Sequence, residues 1–155
     1  MYSERVQTAI KRGEAWFMPF DAIDPTTSDD QFVHIRNNDK QAFEIFEISV
    51  QSTVAGMLEP AVLTGSSTTP TDVKANMTNL SGKESLPVGL FETGVDLNMT
   101  LAKKQTHIYL AANTPRVIET AIRIPRGTDW GLNWDTATGI LTGHIGLMLV
   151  APSDE

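Results

Sequence analysis

The chain has 155 residues, of which 41% are hydrophobic and 20% are charged, as expected of one folded domain with its own core. Its formal net charge of −7 disfavours nucleic acid and an anionic membrane surface as partners, because both are bound through basic surfaces. The absence of cysteine excludes disulfides, thiolate metal sites and a cysteine nucleophile. The N-terminal sequence lacks the apolar run of a signal peptide, so we expect a protein made in the cytosol.

The N-terminal segment has a weak helical pattern, with Tyr2, Val6 and Ile10 on one face. Ser3 is a candidate N-cap, and Gly13 is a candidate end of the helix. An extended arm fits the same residues equally well. The segment is therefore predicted to be either a short helix or an arm.

A dense apolar patch, Trp16–Phe20, follows this segment. It either packs on the core of the domain or belongs to an arm that docks on a neighbouring subunit. In the docking hypothesis, the partner-binding side chains are Tyr2, Val6, Ile10, Trp16, Phe17 and Phe20. We predict an N-terminal arm and polar loop over residues 1–31 and a β-sandwich domain over residues 32–155.

Strand patterns begin with a short run at residues 32–36 and a long run from residue 43 to residue 54. The long run changes phase, because Phe43 and Ile45 occupy odd positions whereas the apolar residues from Phe46 onward occupy even ones. A β-bulge near Ile45 and Phe46 would reconcile the two halves. In the next run, Pro60 predicts an edge strand or a loop, because proline cannot donate to a ladder.

Further strands are predicted at residues 73–79, 90–101 and 108–110, with a turn at residues 103–105. The stretch 117–150 then contains three alternating runs, which we expect to be antiparallel neighbours. The total of about eight strands, separated by frequent turn signals, predicts an all-β protein. The predicted fold is an antiparallel β-sandwich.

The aromatic residues of the last strands allow two interpretations. Trp130 and Trp134 share one strand face with Leu132, and a continuous apolar face of this kind favours the core. Exposed tryptophans, together with Tyr109, would instead stack on sugar rings. The alternative function is therefore a carbohydrate- or receptor-binding module associated with a tail or fibre.

The sequence carries no recognisable catalytic motif. The three histidines lack metal-ligand spacing, and neither a nucleophile elbow nor a phosphate-binding glycine loop is present. The acid pairs Glu44/Glu47 and Asp129/Asp135 are interpreted as solvated side chains. We therefore predict no enzyme, no catalytic residue, no metal site and no cofactor.

The order of features resembles the jelly-roll cement or decoration proteins of tailed-bacteriophage capsids. The segments that carry this resemblance are residues 34–38, 48–51, 80–82, 124–128 and 154–155. The clearest of them is the proline–glycine turn at 124–128, which leads into the penultimate strand. The resemblance covers roughly residues 32–155.

This resemblance implies a β-sandwich of jelly-roll type and a structural role without catalysis. Such a protein sits on the capsid surface of the virion, often as a homotrimer, and bridges subunits of the major capsid protein. The expected partners are thus the major capsid protein and further copies of the chain, with no nucleic acid and no membrane. Closed sheet edges and a terminal arm that reaches across a lattice contact would suit this role.

Overall fold

A computed structural model describes residues 2–152 of the chain, so Met1 and the acidic residues Asp154 and Glu155 lie outside it. The described part contains one α-helix, α1, Glu4–Arg12. Its strands are β1 Ala15–Ile23, β2 Asp30–Asn37, β3 Phe43–Ser52, β4 Gly56–Thr64, β5 Thr71–Asp72, β6 Thr78–Asn79, β7 Gly89–Thr93, β8 Thr100–Lys104, β9 Ile108–Leu110, β10 Arg116–Ile124, β11 Asp129–Trp134 and β12 Leu141–Leu149.

The strands form two sheets that enclose the main core. Sheet A has the order β10-β3-β12-β1-β6, and sheet B has the order β5-β7-β2-β11-β4-β8, with β9 also pairing with β4. Each of these pairings is antiparallel. The predicted all-β antiparallel sandwich is confirmed.

The three strands predicted at residues 117–150 exist, but they are not neighbours. β10 and β12 flank β3 in sheet A, whereas β11 lies between β2 and β4 in sheet B. The prediction of adjacency was wrong because the chain crosses from one sheet to the other at each turn, and alternation along a strand carries no information about its partner. Trp130, Leu132 and Trp134 are fully buried in the core between the sheets, which confirms the core interpretation.

The predicted bulge in β3 is confirmed at Phe46. In the pairing with β12, Gly146 faces Glu47 and Leu147 faces Ile45, so Phe46 has no partner residue. Ile45 before the bulge and Ile48 and Val50 after it therefore point into the same core, while Phe46 turns to the opposite face and packs beneath α1.

Pro60 does not place β4 at an edge, contrary to the prediction. β4 pairs with β11 on one side and with β8 and β9 on the other. Pro60 lies between the stretch that pairs with β9 and the stretch that pairs with β8. An interior strand accommodates a proline here because the ladder on that side is interrupted at this point.

Three further local predictions were wrong. Residues 73–79 form a 3₁₀ turn, Lys74–Asn76, between two-residue strands, and residues 90–101 are divided between β7 and β8. The predicted turn at residues 103–105 begins within β8. Hydrogen bonds from these segments to sheet B, such as Leu97 N–H to the Gln31 carbonyl (3.0 Å), override the local pattern.

The N-terminal segment is a helix, with the predicted caps. The Ser3 hydroxyl accepts from the Val6 N–H, and Gly13 ends the helix in the left-handed conformation at φ 77°. β1 begins at Ala15 and pairs with both β12 and β6. The predicted domain boundary at residues 31/32 therefore needs correction, because the sandwich already includes Ala15–Ile23.

Candidate functional site

The six residues predicted to bind a partner do not form one surface. Trp16 and Phe20 lie in the main core and are each 2% exposed, and Val6 is buried beneath α1. Their hydrophobic side chains are already covered by the chain itself. Tyr2, Ile10 and Phe17 are half-buried around the small core beneath α1, so only these three keep surface that a partner could contact.

The first anchor of the α1 segment on sheet A is Glu47, a buried residue of β3. The Tyr2 hydroxyl donates to Glu47, and Nε2 of His144 lies 2.6 Å from Glu47 Oε2. The Phe17 ring packs on the His144 ring with 4.2 Å between their centroids. Burial, followed by the charge and hydrogen bond of Glu47, raises the pKa of Tyr2 to about 12.

The second anchor is Glu44, which is 3% exposed. Arg5 of α1 donates to both of its carboxylate oxygens, at 3.0 and 3.4 Å, and Nε of Arg123 donates to Oε1 at 2.9 Å. The interpretation of Glu44 and Glu47 as solvated acids was therefore wrong. They are buried carboxylates that hold the N-terminal segment on the outer face of sheet A.

A shallow groove lies on each side of α1. One, of about 340 Å³, is lined by Arg5, Thr8, Arg12 and Met148 among others. The other, of about 280 Å³, lies between α1 and β10, and its lining includes Phe46. A helix with two flanking grooves is therefore the main surface feature on the outer face of sheet A.

A second polar cluster lies on the outer face of sheet B, around His34. This side chain is 3% exposed, and its two ring nitrogens lie 2.7 Å from Glu92 Oε1 and 2.7 Å from Asp129 Oδ1. Arg36 donates to the other Asp129 oxygen at 2.7 Å, and Ser67 Oγ donates to Glu92 at 2.7 Å. These five side chains surround a cavity of about 220 Å³.

A third polar network connects β4 and β11 with the segment after β8. Asn133 donates to Asp29 and to Glu59, in each case at 2.8 Å, and Nδ1 of His107 lies 2.6 Å from Glu59 Oε2. Burial alone would lower the pKa of Lys104, but the hydrogen bond and charge of Glu59, with those of Asp29, raise it above its ordinary value.

These contacts occupy the polar groups of the clusters. Both His34 ring nitrogens are engaged by carboxylates, and the Ser67 hydroxyl is directed at Glu92 rather than at a histidine. Within residues 2–152, no buried side-chain nitrogen or oxygen lacks a hydrogen-bond partner, and no group of acids and histidines could hold a metal ion. The polar clusters therefore cross-link strands and loops.

Sequence reasoning missed the His34 cluster because its members come from three strands and a loop. The available signal was strand parity, which places His34 and Arg36 on one face of β2 and Asp129 on the matching face of β11. The proximity of Glu92 depends on the β2–β7 register, in which it lies opposite His34.

The carbohydrate-binding alternative loses two of its three aromatic residues. Trp130 and Trp134 are fully buried, whereas Tyr109 is 57% exposed. The ring of Tyr109 alone offers a smaller stacking surface than the three aromatic rings of that hypothesis.

Comparisons with known proteins found no match to a family model, a curated protein or a solved structure. No helix within residues 2–152 is long and apolar enough to cross a membrane.

Proposed function

We propose that the chain is a jelly-roll structural protein of a bacteriophage virion, a cement or decoration protein that bridges and stabilises major capsid subunits. It acts as a homo-oligomer on the capsid surface, with a trimer as the expected form. It carries out no catalysis and requires no cofactor.

The observation that carries this proposal is the nested pairing of the long strands. β1 pairs with β12, β2 with β11, β3 with β10, and β4 with β8 and β9. The first long strand thus pairs with the last, and the order continues inward. β12 then pairs with β3, and β11 with β4, which joins the nested pairs into two sheets. Nested pairing across two sheets is the pattern of a jelly roll, an architecture used by viral capsid and lectin domains.

The outer face of sheet A supplies a rigid surface for contact with a capsid. α1 is held there by Glu44 and Glu47 and is flanked by two grooves. Tyr2, Ile10 and Phe17 contribute half-buried apolar area beside it. A rigid contact surface reduces the entropy lost on binding, which suits a protein that must stabilise a shell.

Measurements of oligomeric state and of capsid binding test this proposal. Light scattering and native mass spectrometry of the purified chain should report a homo-oligomer, and the chain should co-sediment with capsids of the phage that encodes it at a saturable ratio. Electron microscopy of decorated capsids would then show added density on the outer surface. A strict monomer that does not co-sediment with these capsids contradicts the proposal.

A matched pair of variants locates the contact surface. Ile10 is a half-buried residue of α1, and Ile10→Asp should weaken capsid binding while circular dichroism shows the fold intact. Ile140→Asp, at a 43% exposed position between β11 and β12, should not weaken it. Equal binding by the two variants would exclude the α1 surface as the capsid contact.

A further inference from the structure

The free edges of the two sheets differ greatly in length. β5 and β6 have two residues each, β9 has three and β8 has five, but β10 has nine. Natural proteins blunt exposed edges by keeping them short, by placing charges, proline or bulges on them, or by covering them. β10, with the sequence RVIETAIRI, is long, has no proline and pairs only with β3, and its three charged residues restrict which strand can pair with it.

Several apolar side chains of β10 are incompletely covered by the rest of the chain. Val117 is 62% exposed, the largest exposure among the large hydrophobic side chains of the described residues. Ile118 and Ile122 lie at the margin of the main core and are only partly buried there. A further strand beside β10 would cover this margin.

The charge of Glu119 indicates what side chain such a strand would have to bring. It lies directly opposite Glu47 of β3, and like charges in this position repel each other. Glu47 is compensated by Tyr2 and His144, whereas Glu119 is exposed and makes no hydrogen bond or ion pair within residues 2–152. A strand that brings a cation opposite Glu119 would relieve this repulsion.

β10 itself supplies that cation in an antiparallel pairing with its own copy. When Ala121 faces the Ala121 of a second copy, Glu119 faces the second copy's Arg123, and the reciprocal pair forms at the same time. Arg123 can keep its bond to Glu44, because a guanidinium has five N–H donors. The β10–β3 register is irregular between Glu119 and Ile122, and the proposed axis at Ala121 lies within this interval. The two charge pairs are formed by residues on either side of the axis.

We infer that β10 is the docking edge for β10 of a second copy of this chain, paired antiparallel about a two-fold axis at Ala121. The contact joins two sheets A into one continuous sheet and neutralises Glu119 on both copies. It is two-fold and therefore separate from the three-fold contact of the expected trimer. It does not depend on a capsid role.

A cysteine at the axis gives a direct test, because the chain contains no other cysteine. Cβ atoms of directly opposed residues lie about 4.5–5.5 Å apart, close to what a disulfide requires. The full-length Ala121→Cys variant under mild oxidation should form a disulfide-linked dimer at least about tenfold faster than Ala112→Cys, which places the thiol on an exposed alanine between β9 and β10. Circular dichroism verifies that both variants fold.

A charge change at Glu119 separates specific pairing from random collision. Adding Glu119→Lys to Ala121→Cys places two cations in opposition and should slow cross-linking by about tenfold, which corresponds to about 1.4 kcal/mol. The inference is overturned if Ala121→Cys links no faster than Ala112→Cys, or if Glu119→Lys leaves the rate unchanged. A cross-linked dimer that does not bind capsids would support the inference and contradict the proposed function.

Discussion

Replacing Trp130 by alanine tests whether the last strands form the interior of the sandwich. Trp130 is 0% exposed, and its Nε1 donates to Gln105 Oε1 at 2.8 Å. Burial of about 200 Å² of apolar area at about 25 cal/mol per Å² stabilises the fold by about 5 kcal/mol, and buried Trp→Ala substitutions cost about 3–5 kcal/mol. We expect Trp130→Ala to lower the unfolding free energy by about 4 kcal/mol, a large fraction of the ~5–15 kcal/mol of a typical domain.

The assay is urea denaturation followed by far-ultraviolet circular dichroism, which does not depend on the fluorescence of the substituted residue. Tyr109→Ala, at an aromatic position that is 57% exposed, is the matched control and should change the unfolding free energy by less than about 0.5 kcal/mol. Trp130→Phe keeps most of the apolar area and should lose about 1–2 kcal/mol. If Trp130→Ala loses less than about 1 kcal/mol with its spectrum intact, the side chain does not belong to the core.

The remaining predictions concern the α1 segment and the polar clusters. Burial and Glu47 raise the pKa of Tyr2 from 10.0 to about 12. The alkaline absorbance titration of Tyr2→Phe, subtracted from that of the wild type, should therefore show a midpoint near 12. The stabilisation from the neutral phenol should therefore be complete below about pH 10 and be lost as the pH rises through about 12. His34→Ala should lower the unfolding free energy by about 3 kcal/mol, because Glu92 and Asp129 lose the ring that contacts both of them. His107→Ala should cost about 1 kcal/mol or less, since this side chain is 55% exposed. Removing residues 1–12 should leave β1 and the sandwich folded by circular dichroism but expose the apolar surface beneath α1, which binding of a hydrophobic dye would report.

Each of these expectations has a contradicting result. A Tyr2 difference midpoint near 10 would show that the phenol is not held by Glu47. Equal losses for His34→Ala and His107→Ala in denaturant titrations would contradict the bridging role of His34. Unfolding of the chain that lacks residues 1–12 would show that α1 is required for the sandwich to form.

The features predicted correctly are those that local sequence determines. The phase change between Ile45 and Phe46 fixed a bulge, because two halves of one strand can face the same core only with an extra residue between them. Ser3 and Gly13 were recognised as caps because their chemistry acts within one helical turn. The alternation around Trp130 identified a buried face for the same local reason.

The features that were missed depend on contacts between distant segments. Alternation in β10 and β12 gave no sign that β3 would lie between them. The charges of Glu44 and Glu47 suggested exposure, and only the approach of Arg5 and of Tyr2 from the N-terminal segment explains their burial. Contacts between distant segments depend on the fold of the whole chain, so no short window of the sequence predicts them.

The position of β12 between β1 and β3 determines when sheet A can form during synthesis. Both neighbours leave the ribosome long before β12, and they cannot pair with each other across the gap that it fills. Until Leu141–Leu149 is available, apolar side chains of β1 and β3 remain without their central partner, and such unpaired strands are prone to aggregation. Sheet A therefore cannot close until β12 has left the ribosome, and the yield of native protein should depend on how quickly this strand is incorporated.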